Sequence, residues 1–278
     1  MAIVGRAAPL SLLVIRLSAM GDVAMTVPVL ALLRRQYPEI KITVLTTKFL
    51  QPFFREVADV SFFAPDLKGR HKGVKGIWTM SRDLGRFDLV ADLHDVLRSK
   101  GLRKLMRLKG SRVAYINKGQ KEKKALTVPE KKIKVQLKTT VERYRDVFLE
   151  LGFDLPPVPL PERIRYPMSE TVRELAGARE KRWIGVSPFA QHRGKIYPPE
   201  MMERVIVRLS EIPGTKVFVF GGGASEQAYA ERVAALRENV VSAIGRVRLG
   251  EEMELISNLD LMVSMDSSAL HMSSLVGV

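Results

Sequence analysis

Asp22 is the first side chain in this sequence placed to do chemistry. It follows Ser18-Ala19-Met20-Gly21, just after the apolar run Leu10 to Leu17, where a buried strand should give way to a helix. A carboxylate there has two readings. It can cap free amides and sit well in the helix dipole, or it can serve as a general base at the mouth of a parallel sheet. Gly21 permits a tight turn and close approach of a ligand to the backbone.

Three further loops offer groups for an anion or a nucleotide. SPFAQHRGKIYPPE, Ser187 to Glu200, collects His192, Arg193 and Lys195 before a helix starting near Pro198-Pro199. Cations there can hold a phosphate, or simply form a solvated basic loop. FGGGASE, Phe220 to Glu226, lets a nucleotide approach the main chain at Gly222 although it is not GxGxxG. Glu226 can bond ribose hydroxyls or cap the helix. SMDSSALH, Ser264 to His271, sets Asp266, Ser267 and Ser268 where a strand turns into a helix, so amides and hydroxyls face an anion. His271 lies farther along that helix, where a purely structural histidine is the alternative.

DLHDVLRSKG, Asp92 to Gly101, holds only three candidate metal ligands. If the stretch is extended, Asp95 points away from Asp92 and His94, and we expect no metal. Arg98, Lys100, Arg103, Lys104 and Arg107 then recur on a helix among leucines. Such a face suits an acidic acceptor or a membrane surface, or is a solvated face with no partner.

The elements that must position these loops alternate along the chain. Strands are expected at Leu10 to Leu17, Lys41 to Thr46, Phe87 to Leu93 and Val113 to Ile116, with helices at Asp22 to Tyr37, Arg98 to Lys109 and Val135 to Leu151. Pro28 should kink the first helix or sit in its early turns. The prolines of Gly152 to Pro167 read as a linker. Beyond it, strands at Trp183 to Ser187, Lys216 to Phe220, Val240 to Ala243 and Leu259 to Ser264 alternate with helices at Pro199 to Ser210, Ser225 to Arg237, Leu249 to Ser257 and from Ser268. This α/β pattern predicts two doubly wound parallel-sheet domains, over residues 1–155 and 168–278 with a linker at 156–167. Ligands in such sheets bind beyond the carboxyl ends of the strands. Four strands and a stop at Val278 suggest a truncated second domain.

Composition narrows the partner. The 278 residues are 46% hydrophobic, hold no cysteine and carry a net charge of +15. Disulfides and thiolate metal sites are excluded, no apolar run is long enough to cross a bilayer, and a reducing cytosol is expected. The charge favours an anionic partner: nucleic acid, membrane surface or phosphorylated substrate.

Together, LLVIRLSAMGDVAMTVPVLALLRRQYP, ADLHDVLRSKGL, IGVSPFAQHRGKIYP and LDLMVSMDSSALHMSSLVGV resemble, in order, segments of the heptosyltransferases of lipopolysaccharide core assembly, glycosyltransferase family nine. The resemblance implies a GT-B fold, two Rossmann-like domains facing across a cleft. It implies inverting transfer of a heptose, usually from ADP-heptose, with no metal and no cofactor. Asp22 then matches the general base and Lys195 the phosphate-binding lysine. Asp266, Ser267, Ser268 and His271 match the nucleotide-side motif, with Ser268 where glycine is common. Glu226 matches the ribose-binding acid. Ser187 and Gly222 fall on the donor side, and Ser18, Gly21, Arg98, Ser99 and Arg103 on the acceptor side. The implied partners are a nucleotide sugar, an anionic lipid-linked saccharide and the inner face of the inner membrane, met peripherally from the cytoplasm. Nucleic acid is not expected. The competing expectations are a GT-B transferase using another nucleotide sugar and a non-catalytic basic module that binds nucleic acid.

Overall fold

A computed structural model describes residues 9–128, 135–179 and 182–278. The chain divides into two compact units, Met1–Pro159 and Leu160–Val278.

In the first unit, the apolar run forms β1 (Ser11–Ile15), whose Leu12 to Ile15 are wholly buried, as a central strand covered on both faces requires. β2 (Lys41–Leu45), β3 (Val60–Phe63), β4 (Leu89–Asp92) and β5 (Arg112–Tyr115) join it in the order β3-β2-β1-β4-β5, every pair parallel. The register places Ile15 opposite both Leu45 and Asp92. The chain therefore leaves β1 and β4 side by side, which brings the loop before Asp22 next to the loop after Asp92.

The single helix expected from Asp22 to Tyr37 is two helices, α1 (Met20–Ala24) and α2 (Val27–Gln36). Pro28 has no N–H, and its ring would strike the carbonyl of Ala24 in a continuous helix, so it is accepted only in the first turn of a new one. Gly21 makes no turn of its own. It lies inside α1, its carbonyl accepting the Met25 amide at 3.0 Å. A 3-10 helix at Lys48–Glu56 follows β2, and α3 (Gly73–Leu84), α4 (Leu97–Leu108), α5 (Gln120–Thr127) and α6 (Thr140–Glu150) complete the unit. α6 starts later than the expected Val135 because Thr139 closes a capping box with Glu142: the Glu142 amide donates to Thr139 Oγ1 at 3.2 Å and the Thr139 amide to Glu142 Oε2 at 2.6 Å. Residues 129–134, between α5 and α6, lie outside the described residues. Met80 of α3 and Leu102 and Met106 of α4 pack under Leu13, Ile15 and Val90, so α3 and α4 cover one face of the sheet together.

The second unit holds α7 (Glu170–Ala176) and a parallel sheet of β6 (Arg182–Ser187), β7 (Thr215–Val219), β8 (Val240–Ser242) and β9 (Leu261–Ser264), in the order β8-β7-β6-β9. α8 (Pro199–Ser210), α9 (Ala224–Ala234), α10 (Leu249–Ser257) and α11 (Ser268–Leu275) connect or follow the strands. Trp183 and Phe218 meet edge to face at 5.2 Å in its core. Register sets Ser187 opposite Ser264, so β6 and β9 end together. Within the proline-rich stretch, the Ile164 amide donates to Val276 O and the Tyr166 amide to Ser257 Oγ, both at 3.0 Å, which fastens residues 164–166 to this unit.

Candidate active site

At the carboxyl edge of the first sheet, Asp22 occupies the third position of α1 with its side chain 37% exposed. As a cap it is weak: its Oδ2 accepts the Ala19 amide at a long 3.4 Å. Its stronger partner is Arg16, whose Nη2 pairs with the same Oδ2. Arg16 is buried, and its Nη1 donates to Leu93 O at 2.6 Å. The guanidinium thus ties the loop after β1 to the loop after β4 and fixes the carboxylate by one oxygen. Asp22 Oδ1 has no partner among the described residues. From beneath, the hydroxyl of buried Tyr144 donates to the Asp22 carbonyl at 3.2 Å.

The neighbouring loop is not extended as the alternation argument supposed. Asp92, fully buried, accepts the His94 and Asp95 amides on Oδ1 at 3.0 and 2.9 Å and curls the chain, with Asp95 at φ +45°. Both carboxylates consequently face Arg103, whose Nη1 lies 2.8 Å from Asp92 Oδ2 and 2.8 Å from Asp95 Oδ1, while its guanidinium stacks on Tyr115 at 3.8 Å. His94 is set beside the base loop, its Nε2 3.5 Å from Ser18 Oγ. Burial, aided by the charge of Arg16 and Lys118 and opposed by Asp92 and Asp22, pulls its pKa down to about 4. The imidazole is therefore neutral across the physiological range.

This has a measurable consequence. Between about pH 6.5 and 4 the unfolded chain protonates this histidine and the folded chain does not, so folding loses stability as pH falls through that window. His94→Gln removes the effect. The drop in stability on acidification should shrink by about 1–2 kcal/mol, allowing for solvent around a half-buried ring. Denaturant melts of both proteins at neutral and acid pH measure it, and equal drops would show that the imidazole protonates freely.

At the carboxyl edge of the second sheet, Lys195 closes a one-turn 3-10 helix (Arg193–Lys195), and its ammonium pairs with Asp266 Oδ2. That contact, with His271 and His192 nearby, holds the Asp266 carboxyl below the usual carboxylate range. Ser267 is the N-cap residue of α11, yet its hydroxyl caps nothing. It bonds the hydroxyls of Ser187 and Ser264, each at 3.0 Å. The first-turn amides of α11, beginning at Ser268, are left without a side-chain cap beside a paired cation, an arrangement that can accept a diphosphate. Along the same edge, Gly222 donates its amide to Glu226 Oε2 at 2.8 Å. A Cβ at Gly221 would lie 2.7 Å from that same oxygen and 2.9 Å from Ile244 Cδ1, so both side chains would have to shift to admit one. His271 sits one turn into α11.

The structure thus brings Ser18 and Asp22 together around His94 and Arg16, Lys195 with Asp266, Ser187 with Ser267, and Gly222 with Glu226. It does not present Ser99 or Arg103 to solvent as free ligands. Ser99 is buried, its hydroxyl exchanging bonds with the Val96 amide and carbonyl at 3.0 and 3.1 Å, and Arg103 is held by the two aspartates. Arg98, in the first turn of α4, has no ion pair among the described residues. No group of three acidic or histidine side chains among the described residues could hold a metal.

Sequence reasoning passed over Arg16 and Glu252, and weighed His94 only as a metal ligand. Glu252, in the first turn of α10, follows β8 on the edge that carries Glu226. Burial pushes its carboxyl up to about 7. A carboxyl raised in the fold favours the folded state at low pH and loses that advantage as pH rises through about 7. Glu252→Gln should therefore stabilise the protein by about 1–2 kcal/mol at pH 9 and change little below pH 4.5, read from thermal melts. A variant equally stable with the parent at pH 9 would place the carboxylate in water.

Comparison with known proteins first defines the class. A glycosyl transferase family 9 structure from Veillonella parvula aligns over 99% of this chain and 81% of its own, with TM-score 0.75 at 21% identity. E. coli heptosyltransferase WaaC, solved with ADP-2-deoxy-2-fluoro heptose, aligns over 96% and 86% with TM-score 0.69 at 17% identity. E. coli ADP-heptose lps heptosyltransferase II aligns over 96% and 82% with TM-score 0.66 at 19% identity. The two parallel-sheet units are those of a GT-B glycosyltransferase. The family follows from the sequence: residues 77–277 match the model of glycosyltransferase family 9 (heptosyltransferase), and the chain belongs to that family. Among curated relatives, the lipopolysaccharide core heptosyltransferase OpsX of Haemophilus influenzae is 23% identical over 97% of this chain and 77% of that protein.

Proposed function

We propose that this glycosyltransferase moves a heptose from ADP-heptose to an anionic, lipid-linked saccharide of the lipopolysaccharide inner core, by a single inverting displacement. The observation that carries the reading is Asp22 Oδ1, an open carboxylate oxygen at the strand ends of a family 9 chain. An acceptor hydroxyl gives its proton to that oxygen as its own oxygen bonds to the anomeric carbon. On the opposite side of that carbon the bond to the diphosphate breaks, and ADP leaves with the electron pair. Lys195 and the uncapped amides of α11 meet the growing charge, Ser187, Gly222 and Glu226 adjoin the nucleotide, and His271 supports Asp266. On the acceptor side Ser18, Gly21 and Arg98 remain candidate contacts, while Ser99 and Arg103 hold the loop that carries His94. The Haemophilus relative is named for the lipopolysaccharide core, and the E. coli structure was solved with an ADP-heptose analogue, which supports the choice of donor and acceptor. No helix among the described residues is long and apolar enough to cross a membrane, which accords with peripheral work at the cytoplasmic face.

Calorimetry with ADP-, GDP- and UDP-sugars, followed by NMR of the product anomer, tests the proposal. Binding of ADP-heptose and an inverted product are expected. Preference for another nucleotide sugar would shift the reading to a sister transferase. No nucleotide-sugar binding, with salt-dependent affinity for nucleic acid, would replace it with a basic binding module.

A further inference from the structure

We propose that the outer surface of α3 and α4, at the end where both helices begin, docks this protein on an anionic lipid bilayer. The proposal rests on the function above for its occupant, since a lipid-linked acceptor is presented from such a surface, and it adds the face that meets it.

Two large aliphatic side chains stand in water there. Val74, the second residue of α3, is 85% exposed, and Leu97, the first of α4, is 89% exposed. Trp78, one turn beyond Val74 on the same stripe, is 55% exposed, and the Arg82 guanidinium lies over its ring at 4.8 Å. These positions are not scattered. α3 follows β3 and α4 follows β4, so the two helix starts lie at the carboxyl edge of the sheet, the edge that carries Asp22 and His94. The helices are in close contact: Ile77 of α3 lies against Gly101 of α4, where an added Cβ would meet it at 3.2 Å. Their inner residues share one core, so their outer stripes form one surface.

The charge on that surface names the occupant. Lys72 and Lys75 flank Val74 in sequence, Lys104 lies two turns beyond Leu97 on the same stripe of α4, all three are exposed, and α4 contains no acidic residue. The nearby acids are exposed but already engaged by their own neighbours. Asp66 accepts the Lys68, Gly69 and Arg70 amides, and Asp83 pairs with Arg70 and His71. Stable attachment to a bilayer needs two signals, an apolar anchor and a basic patch, and neither suffices alone. Both are present here, together with a half-exposed tryptophan, a residue favoured at membrane interfaces. A nucleic-acid face would use the lysines but has no use for two aliphatic side chains at the rim. Docked this way, the protein would hold the acceptor edge of its sheet at the level of the headgroups.

The protein has two tryptophans, and Trp183 is fully buried, so Trp78 reports the event alone. Vesicles of phosphatidylcholine containing phosphatidylglycerol should sediment the protein and shift its emission to the blue, with a loss of about tenfold or more in affinity for phosphatidylcholine alone. Trp78→Phe should abolish the shift while retaining sedimentation. Val74→Ser with Leu97→Ser should weaken vesicle binding about tenfold yet leave transfer to a deacylated, water-soluble acceptor unchanged. Lys72→Glu with Lys104→Glu should weaken it comparably and flatten its salt dependence. No vesicle binding by the parent protein, or undiminished binding by the serine double variant, would overturn the proposal. So would duplex RNA that displaces vesicles and is bound independently of Val74 and Leu97. Vesicle binding that behaves as expected in a protein that transfers no sugar would overturn the function proposed above and leave the docking surface standing.

Discussion

Asp22→Asn lowers turnover ~10²–10⁴-fold, the range expected for loss of a general base, and leaves nucleotide-sugar affinity within about twofold, because no donor contact in the proposed mechanism involves this residue. The asparagine keeps the shape of the aspartate, and its Oδ can still accept from Arg16, so the loop after β1 stays in place. What it loses is the ability to take a proton on the oxygen that Arg16 leaves open. The barrier should rise by about 3–5 kcal/mol. A stability cost accompanies this: a buried guanidinium left with a neutral partner costs about 1–3 kcal/mol, seen as a lower melting temperature. Kinetics measured well below that melt separate the two effects. Turnover within about threefold of the parent would remove Asp22 from the chemistry and reduce it to the counterion of Arg16.

The contrast between Asp22 and Arg16 shows what was legible beforehand. Asp22 stands out in the sequence because a glycine precedes it and a helix follows it. Arg16 reads only as a break in the apolar run Leu10 to Leu17. Only the register that pairs Ile15 with Asp92 shows why it turns inward, since that register brings Leu93 O within 2.6 Å of the guanidinium. The place of His94 beside the base loop was missed for the same reason: the burial that keeps it neutral, and the cations of Arg16 and Lys118 that add to it, come from strand order and not from sequence neighbours. Strands were read well where both faces are buried, as in β1 and β6, and helices where a proline or a serine at the N-terminal boundary marks the start, as in α8 and α11. β3 and α3 left no such trace. β3 is a four-residue edge strand, and α3 begins in a basic, glycine-rich loop whose order comes from Asp66 and from Gly76 lying against the His71 backbone, where a Cβ would come within 2.1 Å.

Lys195→Ala lowers kcat/KM for the nucleotide sugar ~10²–10³-fold, the loss typical of one fixed donor to a developing anion. The ammonium now lies on Asp266, 71 residues away, so two loops of the second unit meet at the start of α11. In the proposed mechanism that ion pair has a use before the donor arrives: it holds a flexible lysine at the helix end where a diphosphate would be received, and an incoming anion would compete for a cation already in position. Removing Lys195 therefore has two effects. The leaving group loses its counterion, and the Asp266 carboxylate is left unneutralised beside the amides, where it repels the donor. Lys195→Arg keeps the charge but replaces a compact ammonium with a planar fork, and should fall between alanine and the parent. The ion pair can be tested without turnover. Lys195 is the first of the groups that hold the Asp266 carboxyl low, so in Lys195→Ala its NMR titration should move up toward the ordinary carboxylate value. An unmoved titration would mean the pair does not form in solution. A titration that moves while donor kinetics stay unchanged would leave Lys195 as a partner of Asp266 and nothing more, and the diphosphate would then have to be held by the amides of α11 alone.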